Sequence, residues 1–278
     1  MVNNYILIDT SYFIFYRYYA LINWWKMAKK DEPQLLDPFL SEEFVQKFRK
    51  TFIDKLYEIP KKLKIKKNDY IFIAALDCPR KNIWRNDLFQ DYKGTREYDD
   101  TFMGGPFFEI GMQILKELNI TSLKFDRLEA DDCVALTCKQ ILEKNTNSQL
   151  HNKCLKITII ASDMDYLQLL NDNINIINLK YKSITESKNA STNAEYNLFC
   201  KIVMGDKSDN IPPIFKKCGI KTAEKYYYDK ELFENELSKS VTSRELFERN
   251  KKLIDFNYIP EQLVNSFNLY LKQFDNFM

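Results

Sequence analysis

The sequence contains a single histidine and no long apolar run. His151, which lies in the polar stretch 145–152, gives mechanisms that need a histidine pair or a Ser-His-Asp triad almost nothing to use. No run approaches the length of about 18 apolar residues that a membrane-spanning helix needs, so we expect no membrane partner. We therefore expect the chemistry of this protein to come from carboxylates.

Cysteine is present, but not at metal-binding spacings. The six cysteines form no CxxC pair and lie mostly among apolar residues, a pattern that favours buried thiols in a reducing compartment over a zinc site. The N-terminus enters an apolar segment at Tyr5 without a charged, cleavable leader. We therefore expect a soluble intracellular protein. The composition, rich in Asn, Lys and Ile with only 6 glycines, suggests an AT-rich or viral genome.

Five short apolar runs alternate with helix-like segments along the first part of the chain. The predicted strands are 5–8, 70–76, 119–123, 157–160 and 174–179. The predicted helices are 13–27, 41–57, 107–118, 130–143 and 164–170. This alternation predicts an α/β fold with a mainly parallel central sheet, whose ligand site lies beyond the carboxyl ends of the strands. From about Ala194 the chain is predicted to be helical.

Acidic residues concentrate at the predicted strand ends and helix starts. Asp9, Asp77 and Asp163 each follow a predicted strand, and Asp165 comes two positions after the last of them. Three more acids lie within four positions at the start of the fourth predicted helix, and two lie within 205–210. Each group taken by itself is also compatible with solvated helix caps, because helix N-termini favour negative charge. The nine acids are Asp9, Asp77, Glu129, Asp131, Asp132, Asp163, Asp165, Asp206 and Asp209.

A cluster of nine carboxylates needs cations to offset its mutual repulsion. Oxygen ligands without histidine or cysteine select Mg²⁺ or Mn²⁺. Nine acids are enough for two neighbouring ions, as in two-metal phosphodiester cleavage. Of the 39 acidic residues, 30 lie outside this group of nine, and the chain has 41 basic residues. The rest of the chain therefore has an excess of 11 positive charges, which favours a nucleic-acid partner.

Five sequence blocks, in a fixed order, carry a family resemblance. They are ILID (6–9) with YR (16–17); LDCP (76–79) with WR (84–85) and DYKGTR (91–96); LEADD (128–132); ASDMDYLQL (161–169); and GDKSDNIP (205–212) with GIKTA (219–223). Over residues 5–228 the chain resembles the 5′ nucleases, which include flap endonucleases, phage 5′-3′ exonucleases and the 5′ nuclease domain of bacterial DNA polymerase I. The resemblance implies a metal-dependent nuclease acting on DNA with 5′ ends, flaps or nicks.

The resemblance also implies a division of the acids between two Mg²⁺ or Mn²⁺ ions. A first metal site would contain Asp9, Asp77, Glu129 and Asp131, with Asp132 close by. A second would contain Asp163, Asp165 and Asp209, helped by Asp206. Lys93 and Arg96 match basic residues that contact the scissile phosphate in the family. The lysine ammonium is a mobile point charge and the arginine guanidinium can bind a phosphate through two N–H groups, so both suit that task. The predicted catalytic residues are therefore Lys93, Arg96 and Asp131.

DNA contacts are implied in two regions of the chain. Trp24 and Trp25 lie where the family carries an apolar wedge against a base-paired end, although core packing explains the same pair. The other predicted contacts before the hairpin are Arg17, Arg85, Tyr92, Lys93 and Arg96. The predicted contacts in the hairpin are Lys216, Lys217, Gly219, Lys221 and Thr222.

The resemblance implies two parts of the chain. Residues 1–190 would form a PIN-like 5′ nuclease core with a helical arch at about 92–118, in which 97–106 clamps or threads a single strand. Residues 191–278 would be helical, with a helix-hairpin-helix at about 203–228 that offers backbone N–H groups to duplex phosphates beside a K⁺ ion. Such binding is salt-sensitive and nearly sequence-blind.

The chain departs from the family pattern at several positions. Thr10 stands where a glycine is usual, and Arg17 lies one residue farther from Asp9. The hairpin has Pro213 and Lys217 where the family has glycine, and it is one residue longer.

Three functions are compatible with these observations. The first is a 5′-3′ DNA exonuclease and flap endonuclease of replication, repair or recombination. The second is a 5′-directed ribonuclease that removes RNA primers or RNA strands. The third is a non-catalytic nucleic-acid-binding protein, which would have no reason to keep nine acids. The tail, 260–278, contains no evident sliding-clamp motif, and we expect a monomer.

Overall fold

A computed structural model describes residues 2–32, 35–96, 102–147 and 154–274. The strands are β1 (Asn4–Asp9), β2 (Tyr70–Leu76), β3 (Thr121–Lys124), β4 (Lys156–Ile160) and β5 (Ile174–Ile177). They form one sheet in the order β3-β2-β1-β4-β5, and every neighbouring pair is parallel. The predicted α/β fold with a parallel central sheet is confirmed. His151 and residues 97–101 lie outside the described residues.

Strands β1 and β2 contain continuous apolar runs, as expected where both faces of a parallel sheet are covered. Ile6 and Leu7 are neighbours on β1, yet both are fully buried, and they belong to hydrophobic clusters on opposite faces of the sheet. Strand β5 ends two residues earlier than predicted. The reason is local, because the side-chain oxygen of Asn178 accepts a hydrogen bond from Lys180 N at 2.9 Å and opens a turn.

Four helices flank this sheet: α1 (Thr10–Ala28), α2 (Glu42–Lys62), α3 (Gly105–Glu117) and α4 (Ala130–Asn147). Helix α1 starts directly after β1 because Asp9 caps it, accepting a hydrogen bond from Tyr12 N at 2.9 Å. The predicted α-helix at 164–170 is instead a 3₁₀ helix, Met164–Leu169. It is short because the chain must enter β5 at Ile174.

The predicted arch segment contains a core helix. Helix α3 buries Phe107, Ile110 and Ile114 in the same hydrophobic cluster as Phe48 and Phe52 of α2. Residues 105–117 therefore pack against the body of the protein, and any arch is confined to the residues between Lys93 and Gly104. The arch itself stays a prediction.

The rest of the chain is helical, as predicted. Its helices are α5 (Ala194–Met204), α6 (Ile220–Tyr228), α7 (Lys230–Ser238), α8 (Val241–Ile254) and α9 (Glu261–Leu271). Phe267 and Leu271 of α9 enter the hydrophobic cluster that also contains Val134 of α4. The strands thus lie before the boundary predicted near residue 190, and helices α5 to α9 lie after it. Residues from both sides of this boundary share one hydrophobic cluster. None of the helices within the described ranges is long and apolar enough to cross a membrane.

Candidate metal and nucleic-acid site

A cleft of about 460 Å³ opens at the carboxyl ends of β1, β2 and β4. This is the end of a parallel sheet at which ligand sites form, because the strand-to-helix connections leave a crevice there. Six of the nine predicted acids line it: Asp9, Asp77, Glu129, Asp131, Asp163 and Asp206. Lys93, Arg96 and Lys201 line the same cleft.

Asp9 and Asp77 are neighbours because the central strands end side by side. Asp9 Oδ2 accepts a hydrogen bond from the hydroxyl of Tyr166 at 3.1 Å. Asp77 accepts from the hydroxyl of Ser11 at 2.8 Å and from Ala130 N at 2.9 Å. Burial, together with the charges of Asp77 and Asp163, raises the pKa of Asp9 to about 7. A cation that enters the cleft would stabilise the ionised form of the Asp9 carboxyl.

Asp131 lies in the first turn of α4 among other acids. Its carboxylate oxygens lie within 4.8 Å of those of Glu129 and Asp132. Burial, and then the charges of Asp132 and Glu129, raise the pKa of Asp131 well above its ordinary value. The position is therefore electrostatically unfavourable for an anion unless a cation is bound nearby.

Glu129 and Asp132 are offset by protein cations. The fully buried guanidinium of Arg85 pairs with both, at 2.9 Å from Glu129 and 2.8 Å from each oxygen of Asp132. Asp132 Oδ2 also accepts from Trp84 Nε1 at 3.0 Å. Lys93 pairs with the second oxygen of Glu129. The oxygens of Asp132 are thus engaged by Arg85 and Trp84, an arrangement suited to positioning the start of α4.

Lys93 and Arg96 reach the cleft from the segment after β2. Arg96 Nη2 donates to Asp209 Oδ1 at 2.6 Å, and its Nε donates to the carbonyl of Ser208 at 3.0 Å. Burial would lower the pKa of Lys93, but the charges of Glu129 and Asp209 raise it above its ordinary value. Both side chains therefore present permanent positive charge at the rim of the acid cluster.

The acids that follow β4 and α5 form the second predicted metal group. Oxygens of Asp165, Asp206 and Asp209 lie within 4.8 Å of one another, and Asp163 Oδ1 accepts from Asp165 N at 2.9 Å. Lys201 of α5 pairs with Asp165 and, at 2.7 Å, with Asp206. Burial would raise the pKa of Asp206, but the charge of Lys201 lowers it to about 2.

Ion pairing divides the nine acids into two sets. Among the residues that the structure describes, five acids have a basic ion-pair partner: Glu129, Asp132, Asp165, Asp206 and Asp209. The other four, which we call the unpaired set, are Asp9, Asp77, Asp131 and Asp163, and they all line the cleft. Hard carboxylate oxygens with uncompensated charge fit a divalent cation such as Mg²⁺.

The hairpin residues lie around the start of α6, which packs on α5. Gly219 caps α6, and a Cβ added there would meet no atom within 4 Å, so nothing within the protein requires this glycine. Lys217 has a φ of +58°, in the left-handed region that glycine favours. Lys216, Lys217 and Lys221 are all exposed.

Comparison with known proteins identifies the family. A family model described as the 5′-3′ exonuclease, N-terminal resolvase-like domain, matches residues 4–197. The chain belongs to the 5′-3′ exonuclease family. A 5′-3′ exonuclease of Buchnera aphidicola subsp. Acyrthosiphon pisum is 31% identical over 230 residues, which are 80% of this chain and 68% of that protein.

Other curated proteins match over a shorter segment or at lower identity. The 5′-3′ exonuclease of Bacillus subtilis is 33% identical over 150 residues, 51% of this chain and 47% of that protein. The chain thus spans about half the length of this relative. It spans 52% of the length of the 5′-3′ exonuclease of Buchnera aphidicola subsp. Schizaphis graminum. The ribonuclease H of Enterobacteria phage T4 is 28% identical over 225 residues, 71% of this chain and 70% of that protein.

Solved structures of phage T5 5′-exonuclease share the fold. One, crystallised with metal ions, superposes with a TM-score of 0.64 at 15% identity and covers 97% of this chain and 98% of that one. Another holds divalent metal ions, zinc, with a TM-score of 0.62 at 16% identity and coverages of 97% and 98%. A T5 flap endonuclease variant, solved as a pseudo-enzyme-product complex with DNA and metal ions, has a TM-score of 0.63 at 15% identity and the same coverages.

Several family positions predicted to contact DNA lie inside this protein, and we correct those predictions. Arg85 is 2% exposed and Tyr92 is 5% exposed, and the Tyr92 hydroxyl lies 2.9 Å from Glu129 and 3.0 Å from Asp209. Both support the acids from within instead of facing DNA. Arg17 is buried as well. Trp25 packs on Phe44 in the core, so core packing is the correct explanation for it.

Trp24 is the half-buried member of the tryptophan pair. The ammonium of Lys47 lies 3.5 Å from the centre of the Trp24 ring, a cation–π contact on one face of the ring. A wedge role for Trp24 stays a prediction, and Trp25 does not share it.

Three residues of the site were not found from the sequence. Ser11 and Tyr166 donate to Asp77 and Asp9, and Lys201 pairs with Asp165 and Asp206. Tyr166 directly follows an acid of the fourth block, and this adjacency is the one signal that could have pointed to it. Lys201 precedes Asp206 by five residues inside an otherwise ordinary helix, so nothing local distinguishes it from a surface lysine.

Proposed function

We propose that this chain is a metal-dependent 5′ nuclease that hydrolyses DNA phosphodiester bonds near 5′ ends, acting both as an exonuclease and on flaps. The observation that carries the proposal is the unpaired set of carboxylates in one cleft, with Lys93 and Arg96 at its rim. Uncompensated acids beside permanent cations suit a site that takes a divalent ion together with a phosphodiester. Membership of the 5′-3′ exonuclease family supports the same reaction.

Two ions, Mg²⁺ or Mn²⁺, are proposed for the cleft. Asp9, Asp77, Glu129 and Asp131 would hold the first, with Asp132 positioning α4 behind them. Asp163, Asp165, Asp206 and Asp209 would hold the second. The chemistry that such ions supply is activation of a water molecule and stabilisation of charge on the departing 3′ oxygen, which gives 5′-phosphate products.

Lys93 and Arg96 are the proposed phosphate contacts. In the structure their charges are directed at Glu129 and Asp209, so they are already held beside the metal-ligating acids. The Arg96 side chain remains 46% exposed, which leaves guanidinium N–H groups free to donate to a phosphate oxygen. Exposed Lys216, Lys217 and Lys221, with Gly219 and Thr222, would hold the duplex backbone away from the cleft, with K⁺ at the hairpin.

Digestion of 5′-labelled flap, nicked and blunt DNA, with product lengths resolved, tests the proposal. We expect cleavage near the 5′ end that requires Mg²⁺ or Mn²⁺ and leaves 5′-phosphate and 3′-hydroxyl ends. Matched reactions in excess EDTA serve as the control. Undiminished cleavage in EDTA would refute the metal dependence, and cleavage starting from 3′ ends would refute the polarity.

A second candidate is hydrolysis of RNA strands at the same site. The observation in its favour is the similarity to the phage T4 protein named ribonuclease H, which covers 71% of this chain. The test compares RNA-primed DNA with an all-DNA substrate of the same sequence. Release of ribonucleotides at a rate equal to or above the DNA rate would favour primer removal, whereas DNA-only cleavage would exclude it.

A further inference from the structure

Lys201 lies between two acids of the second metal group. Its Nζ contacts Asp165 and lies 2.7 Å from Asp206 Oδ2. The lysine side chain is 17% exposed, and those of the two acids are 14% and 15% exposed, so water screens the three charges poorly. A protein cation therefore occupies the space between two oxygens that a second divalent ion would use.

The backbone around each of the two acids is fixed without Lys201. Asp206 exchanges backbone hydrogen bonds with Ile211 at 2.8 and 2.7 Å, and its Oδ1 accepts from the hydroxyl and the N–H of Ser208. Asp165 is fixed by the 3₁₀ helix that Asp163 caps. Lys201 reaches them on a long, flexible side chain from the last turn of α5, so of the three groups it is the one that can move away.

The two metal groups differ in this respect. In the first group Asp9, Asp77 and Asp131 carry no basic partner within the described part of the chain. A cation entering there meets ion pairs only at Glu129, which pairs with Arg85 and Lys93. In the second group only Asp163 lacks a basic partner among the described residues: Asp209 pairs with Arg96, and Asp165 and Asp206 share the ammonium of Lys201. Entry of a second ion between Asp165 and Asp206 must therefore break both ion pairs of Lys201.

We propose that Lys201 is a built-in counterion that the second divalent ion displaces from Asp165 and Asp206. The inference rests on the proposed two-ion site. Lys201 keeps the second group compensated when no ion is bound there. Because the second ion competes with Lys201, it binds with lower affinity than the first ion. The first site can therefore be occupied while the second is empty.

Titration of Mn²⁺ into the full chain, followed by electron paramagnetic resonance of the free ion, tests this inference without using activity. The variants are Lys201→Met, which removes the charge but keeps an unbranched side chain of similar length, and Lys201→Gln, a polar substitute. Lys207→Met is the matched control, because Lys207 is exposed, lies next to Asp206 in sequence, and takes part in none of the ion pairs described. It loses the same unit charge without opening the site.

We expect both Lys201 variants to tighten the weaker Mn²⁺ site by about tenfold or more, the size of effect that one adjacent charge has on a carboxylate. The stronger site and the Lys207→Met protein should change by less than about twofold. In EDTA the Lys201 variants should melt at a lower temperature than the parent, and saturating Mn²⁺ should close that gap. Unchanged or weakened binding at the second site in both variants would overturn the inference.

The same titration separates this inference from the proposed function. If the parent and all variants bound no Mn²⁺, the two-ion site itself would be refuted. If the parent bound two ions with the Lys201 variants indistinguishable from it, the site would stand and the role of Lys201 would fall.

Discussion

Arg85 binds Asp132 with both terminal nitrogens of its guanidinium, Nη1 at 2.8 Å from Oδ2 and Nη2 at 2.8 Å from Oδ1. The Arg85 Nε donates to the carbonyl of Leu253 at 2.7 Å, so the same side chain joins α8 to the start of α4. Both members of the pair are almost fully buried. Removing one partner of such a pair leaves the other charge buried without compensation, which destabilises a protein strongly.

Replacement of Arg85 by methionine should therefore lower the free energy of unfolding by about 3–5 kcal/mol. Urea denaturation followed by far-UV circular dichroism measures it. Arg127→Met is the control, because Arg127 pairs with Asp87 at the surface, where the side chains are 41% and 68% exposed. That change should stay below about 1 kcal/mol. An Arg85 variant as stable as the control would show that the pair does not organise the acid cluster.

Asp131→Asn should separate stability from turnover. The asparagine side chain carries no charge. Burial and the charges of Asp132 and Glu129 disfavour the ionised form of Asp131, so the metal-free variant should melt at a higher temperature than the parent. Most turnover should be lost while DNA binding stays intact or tightens, because repulsion of the backbone falls. Melting in EDTA, gel-shift binding and cleavage in Mg²⁺ give the three readings. Turnover within about threefold of the parent would contradict a role in metal-dependent cleavage.

The contribution of Asp9 to the stability of the metal-free protein should fall as the pH rises. The folded-state pKa of Asp9, about 7, lies above the ordinary value of 3.8, so the folded state binds this proton more tightly than the unfolded state. The stability from this group is then full at low pH and declines as the pH rises from about 4 to about 7. Melting temperatures in EDTA measured across this range, parent against Asp9→Asn, should fall less steeply for the variant. Identical pH slopes would be inconsistent with the raised pKa.

Tyr166→Phe should weaken metal binding by about tenfold, the lower end of what loss of a hydrogen bond to a metal ligand produces. The Tyr166 side chain is fully buried and its hydroxyl lies 3.1 Å from Asp9 Oδ2, so its removal leaves that oxygen less well oriented. Calorimetric titration of Mn²⁺ provides the measurement. Tyr57→Phe, at an exposed position, should leave the affinity unchanged. Equal affinities in all three proteins would show that Tyr166 serves packing only.

Replacement of Lys216, Lys217 and Lys221 by alanine should separate DNA binding from chemistry. The slope of log affinity against log salt should flatten by up to roughly one unit for each DNA phosphate that the variant no longer neutralises. Cleavage at saturating DNA should change much less, because these three lysines do not line the acidic cleft. The control replaces exposed Lys61, Lys66 and Lys67, which carry the same charge away from α6. A slope unchanged from the control would mean that the hairpin lysines are only solvated.

The sheet and the positions of the acids could be predicted from local sequence patterns. An apolar run followed by aspartate recurs at Asp9, Asp77 and Asp163, and parallel strands bring such ends to one edge, so the cleft follows from local patterns. The family blocks pointed to the same residues, and a family model matches residues 4–197. These features are predictable because each depends on residues close together in the chain.

Which acids have a basic ion-pair partner depends on the packing of distant segments. Arg85 meets Leu253 across 168 positions, and Tyr166 meets Asp9 across 157, so neither contact leaves a local trace in the sequence. The same holds for Lys201, an ordinary helix residue until α5 packs beside the 3₁₀ helix and brings its ammonium to Asp165. Charge compensation depends on distances of a few ångströms between distant segments, because electrostatic pairing falls off with separation and rises with burial, and packing sets both.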